Sequence, residues 1–141
     1  MKNMFTKMAF LFTSFLFLST NLHAFDHKVV IQVSTDDGRV QKIALNNAVN
    51  LQKLYGIDNV IIEIVAYGPG LGILTKNYAD SARVKSLALQ DIKFSACENT
   101  MAKIKKKTGN LPVLTEGVTT VTAGVARIVE LQEEGYSYIR P

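Results

Sequence analysis

The order of apolar and amphipathic stretches along this chain predicts an α/β fold. We expect a single three-layer domain with a mainly parallel sheet of about five strands between helices. Three observations carry the reading. β-Branched runs alternate with stretches of helical spacing from Val29 to the C-terminus. Val60-Ile-Ile-Glu-Ile-Val-Ala-Tyr67 is apolar almost throughout, as suits a strand covered on both faces. Gly56, Gly109 and Gly135 each mark the end of a helical stretch.

The domain begins after a leader. Lys2 and Lys7 precede an apolar run, Met8 to Leu18, that is short for a bilayer span. A polar stretch comes next and closes in Leu22-His23-Ala24, a usable cleavage site. This is the pattern of a secretory signal peptide over residues 1–24, with the domain over 25–141 and a periplasmic or secreted location. The leader carries two of the 16 basic residues and none of the 12 acidic ones, so the mature chain sits at +2. A balance this small gives no argument for nucleic acid. After the leader no apolar run is long enough to hold the mature chain in a membrane.

Val29 to Ser34 is the expected first strand, and Thr35-Asp-Asp-Gly38 a loop of turn residues. From Arg39 to Tyr55, Val40, Ala44, Ala48, Leu51 and Tyr55 share one helical face. Val60 to Tyr67 is the second strand and runs into Gly68-Pro69-Gly70. Short helices are expected over Leu71 to Asn77 and Ser81 to Leu89, then a strand over Ile92 to Ser95. A helix starting near Asn99 or Thr100 runs to about Lys107. Val118 to Val121 is a short strand, Ala123-Gly124 opens the last helix, and Tyr136 to Arg140 is the last strand.

Cys97 is the one cysteine, so no internal disulfide is available. It lies at a strand-to-helix turn, on the edge of the sheet where α/β proteins gather their chemistry. The N–H groups of a helix start favour a thiolate there. The same position also suits a small buried packing residue. Glu98 opposes ionisation if it faces the thiol, and complements the helix dipole if it does not; the second role is expected. Asn99 and Thr100 are cap residues that would hold the turn. Gly68 and Gly70 either let backbone approach a ligand or make a tight turn. Asp36 and Asp37 are expected in a solvated loop. After the leader only His27 remains beside Cys97, too few ligands for a His/Cys metal cluster. Lys103, Lys105, Lys106 and Lys107 suit a helix C-terminus and a solvated face.

A set of local patterns carries a resemblance. Gly-Pro-Gly ends the second strand, Ala-Cys-Glu-Asn-Thr-Met follows the third, Gly-Val-Ala-Arg-Ile-Val-Glu-Leu-Gln makes the last helix, and Gly-Tyr-Ser-Tyr-Ile-Arg-Pro closes the chain. In these the mature chain resembles the DsrE/DsrF-like family. The resemblance implies a flavodoxin-like sheet and a homo-oligomer, trimeric or hexameric. It also implies sulfur carried as a persulfide on Cys97, exchanged with a donor or acceptor protein without metal or organic cofactor. The alternative is an oligomeric module that binds a small ligand or partner near Gly68 and Cys97, with Cys97 structural. The leader generates its own prediction. Mass spectrometry of protein recovered from its native host should find an N-terminus near Phe25. Recovery only of full-length chain from membranes would refute export.

Overall fold

A strand forms where β-branched residues can be covered on both sides, and the covering is what orders this sheet. The computed structural model describes residues 27–141; the expected leader lies outside the described residues. The strands are β1 (His27–Val33), β2 (Val60–Ala66), β3 (Ile92–Cys97), β4 (Val118–Val121) and β5 (Ser137–Ile139). All pair in parallel, in the order β4-β3-β2-β1-β5. The helices are α1 (Gly38–Tyr55), α2 (Ser81–Ala88), α3 (Glu98–Thr108) and α4 (Gly124–Glu133), with 3-10 turns at Ile57–Asn59 and Gly68–Leu74. This is a single flavodoxin-like α/β domain.

Several boundaries differ from the sequence reading for local reasons. Asp37 is more than a loop residue: it caps α1, its Oδ1 accepting from the N–H groups of Arg39 at 2.8 Å and Val40 at 3.3 Å. The helix expected from Leu71 to Asn77 is a 3-10 segment that starts earlier, at Gly68, with Pro69 in its first turn. It lies across the end of β1 so closely that a Cβ on Gly70 would overlap the Val33 carbonyl. Strand β3 runs two residues beyond Ser95, and α3 follows at Glu98 with no intervening loop. Gly109 ends α3 in the left-handed conformation, its N–H bonded to the Lys105 carbonyl.

Strand order decides which face each helix covers. From β1 to β4 the chain steps in one direction across the sheet, so right-handed crossovers put α1, α2 and α3 on one face. There Val29, Ile31 and Val33 pack with Ala44, Leu45 and Ala48 of α1, and Phe94 and Ile92 with Val84 and Leu87 of α2. The step from β4 to β5 runs the other way, so α4 lies on the opposite face. Its core is small: Val30 and Val65 against Ile128, Leu131 and Tyr136.

That second face also holds a buried charge. Glu63, mid-strand in β2, has a side chain only 2% exposed. Arg127 of α4 meets it through two parallel bonds, Nε to Oε1 and Nη2 to Oε2, each 2.9 Å. Ser95 Oγ donates to Oε1 at 2.7 Å. Burial pushes the Glu63 carboxyl up, and the Arg127 and Ser95 hydrogen bonds outweigh it, so the group ionises below its ordinary 4.5. The pair's contribution to stability is therefore full above that value and lost as pH falls through the lower folded-state value. Arg127→Met strands a buried carboxylate and should cost about 3–5 kcal/mol near neutral pH. Denaturant midpoints measured against pH should show the gap between wild type and variant closing on acidification. A gap that is constant with pH would mean that the charge pairing does not stabilise this face.

Candidate functional site

Cys97 ends β3 and is the N-cap residue of α3, with extended backbone angles of φ −73° and ψ 115°. The pleat explains its direction. Ser95 lies on the α4 face of β3, and two residues on, Cys97 lies on the same side. Register places it opposite Val121, the last residue of β4, and only Thr122 and Ala123 separate Val121 from α4. The starts of two helices therefore meet at one sulfur.

The sulfur is buried, with Cys97 5% exposed. It makes no cap hydrogen bond of good geometry. What surrounds it is a set of converging dipoles. Burial pushes the thiol up, but the Thr100 hydroxyl and the N–H groups of Gly124, Thr100 and Asn99 outweigh it and bring the thiol below its ordinary value. Thr100 Oγ1 accepts from the Gly68 N–H at 2.9 Å, which leaves its own proton for the sulfur.

The residues singled out from the sequence divide accordingly. Gly68, Asn99, Thr100 and Cys97 come together. The N–H of Gly68, whose φ is +54°, goes to Thr100. The Asn99 N–H is also directed at the Thr122 carbonyl, at 3.3 Å, which ties α3 to the segment before α4. Gly70 faces away, packed on β1. Glu98 is exposed and turns to β4, accepting from Thr120 Oγ1 at 2.7 Å. It is not among the groups that set the thiol's ionisation. His27 stacks on Tyr55, ring centroids 3.7 Å apart, at the opposite end of the strands. Among the described residues, no group of three His, Cys, Asp or Glu side chains is placed to hold a metal.

Sequence reasoning missed Gly124, whose N–H is among the groups that lower the thiol's pKa. The signal was its place at a helix start, but nothing in the sequence says that this helix start adjoins β3. A Cβ on Gly124 would sit 2.9 Å from Cδ1 of Tyr67, so glycine lets the helix start close on the Tyr67 ring. It also missed Glu63 and Arg127; a lone acid inside an apolar strand was the available sign. Beside this ion pair a groove of about 550 Å³ runs between α4 and the β3–β4 half of the sheet. Lys93, Thr119, Thr120, Val121 and Ala126 are among its lining residues.

The dipole arrangement makes a direct prediction about the thiol. The pH midpoint of alkylation by iodoacetamide should lie below that of free cysteine, about 8.5. Thr100→Val should raise it and slow the reaction near neutral pH, and Thr100→Ser should restore it. A midpoint indifferent to the hydroxyl would remove Thr100 from the site.

Comparison with known proteins agrees with this architecture. The model of the DsrE/DsrF-like family matches residues 22–141. The solved structure of MTH1491, a protein of unknown function from Methanobacterium thermoautotrophicum, aligns with a TM-score of 0.72 at 35% identity, covering 82% of this chain and 100% of that one. The crystal structure of YchN from E. coli aligns with a TM-score of 0.63, covering 82% of this chain and 99% of its own. At 11% identity that likeness speaks for the fold alone. No curated protein matches. The match over the whole described domain, with the thiol at the junction of β3 and α3, makes this chain a member of the DsrE/DsrF-like family.

Proposed function

We propose that this protein is an exported sulfur carrier that holds a persulfide on Cys97, in the periplasm or outside the cell. One observation carries the reading: a lone thiol surrounded by N–H groups from two helix starts and by the Thr100 hydroxyl, which together outweigh its burial. Such a setting stabilises a sulfur anion, whether thiolate or persulfide. Family membership and the leader supply the context of sulfur chemistry and export.

The step needs no outside oxidant. The Cys97 thiolate attacks the outer sulfur of a donor persulfide, forming one S–S bond and breaking another, and the donor leaves as its own thiolate. An acceptor thiolate then attacks the outer sulfur on Cys97 and regenerates the starting thiolate. Thr100, Asn99 and Gly68 are assigned to holding the turn, with Glu98 outside the reacting set. A homo-oligomer, trimer or hexamer, and a sulfur donor or acceptor protein complete the proposal.

A second reading rests on the near-complete burial of Cys97, which suits a packing residue in an oligomeric module that binds a small ligand or partner. One experiment separates the two. Incubation with a sulfane-sulfur donor should add about 32 Da, one sulfur, to each wild-type chain and nothing to a folded Cys97→Ser variant. Native mass spectra of the same samples should show an unchanged assembly of several chains. A wild-type protein left unmodified by several donors, with Cys97 alkylated only after denaturation, would refute the carrier. A monomer at every concentration would refute the assembly.

A further inference from the structure

We infer that the Glu63–Arg127 pair is a positioning device for Cys97, holding the start of α4 against the sulfur. The inference rests on the reading of Cys97 as the reactive group and adds two residues that never touch it. Among the described residues helix α4 is the helical cover of the second face, and its buried apolar side chains are Ile128 and Leu131. The end that carries Gly124 is held by other means. Arg127 lies three residues after Gly124, and its N–H bonds the Ala123 carbonyl at 3.0 Å, so it belongs to the helix's first turn. Its side chain reaches down to the two oxygens of Glu63. Glu63 is tied in turn by Ser95, which lies two residues before Cys97 on the same strand.

The result is a closed chain of contacts: Cys97, along β3 to Ser95, across to Glu63, up to Arg127, and back along α4 to Gly124. Two planar groups held by paired bonds fix both distance and rotation, which one point contact does not. Arg127 is steadied further by Glu130 of α4 at 3.4 Å and by Glu134, just past its end, at 3.6 Å. The Tyr67 ring packs against Gly124. A buried ion pair is a costly way to gain stability alone, and apolar residues of similar size do as well. Its geometric precision is what this site uses.

The test reads the pH midpoint of Cys97 alkylation in the purified protein, with far-UV circular dichroism as the check of folding. Arg127→Lys keeps the charge and loses the paired geometry. It should raise the midpoint by about half to one unit, leaving about three- to tenfold less thiolate at any lower pH. Glu63→Gln separates positioning from a direct field effect. Removing a negative charge through space would lower the midpoint, whereas loosening the clamp raises it. Lys85→Ala, which breaks the exposed Lys85–Glu116 pair, should leave the midpoint where it is. Should one clamp variant fail to fold, the other carries the test, with Ser95→Ala as the milder third. Folded variants with the wild-type midpoint, or a lowered midpoint in Glu63→Gln, would overturn the inference. Sulfur uptake is not the readout, so a shifted midpoint in a protein that takes up no sulfur would sink the carrier reading and leave the positioning role standing.

Discussion

A parallel sheet has to be covered on both faces, and the strand order of this one makes the covering unequal. Successive steps in one direction send α1, α2 and α3 to the same side, and among the described residues only the return from β4 to β5 takes a helix to the other. One face therefore gains a broad apolar core around Ile31, Ile64 and Phe94. The other is left with α4 and a narrow apolar strip. The Glu63–Arg127–Ser95 network lies where α4 needs a fixed seat and has little apolar area to supply one. Exposed pairs such as Lys85–Glu116 are solvated and contribute little by comparison.

The same topology builds the thiol site. Parallel strands all end on one edge, so every helix following a strand starts there. Register then brings the end of β4 beside Cys97, and α4 opens within reach of α3. The thiol is subject to opposed effects. Removal from water favours the neutral form, and the convergent N–H groups with the Thr100 hydroxyl favour the anion. The second effect wins, because the Thr100 hydroxyl and N–H groups from two helix starts converge on one sulfur. Glycine at two places makes this possible. Gly68 turns its N–H to Thr100 in a left-handed conformation, and Gly124 lets α4 close on Tyr67.

Beyond the clamp, the β3–β4 half of the second face is grooved, carrying Lys93 and Thr119 beside the start of α4. Val125 and Val129 project from α4 beside it, 60% and 50% exposed.

Most of the element order was legible in the sequence because each element answers to a local rule. The apolar run at Val60, the helical spacing from Arg39 to Tyr55 and the stops at Gly56 and Gly109 are properties of neighbours in the chain. Cys97 could be placed at a strand-to-helix junction for the same reason, and Asn99 and Thr100 beside it. The resemblance carried by Ala-Cys-Glu-Asn-Thr-Met and the closing Gly-Tyr-Ser-Tyr-Ile-Arg-Pro supplied the family. What the sequence could not show was which distant groups meet. Glu63 and Arg127 are separated by 64 positions, and Gly124 reaches Cys97 only because β4 pairs with β3 in a particular register. Gly70 and Glu98 could be assigned to the site on proximity in the chain, yet one packs against β1 and the other turns to β4. Local propensity determines where strands and helices begin and end. Strand order and register, set by burial across the whole sheet, determined which dipoles face the sulfur.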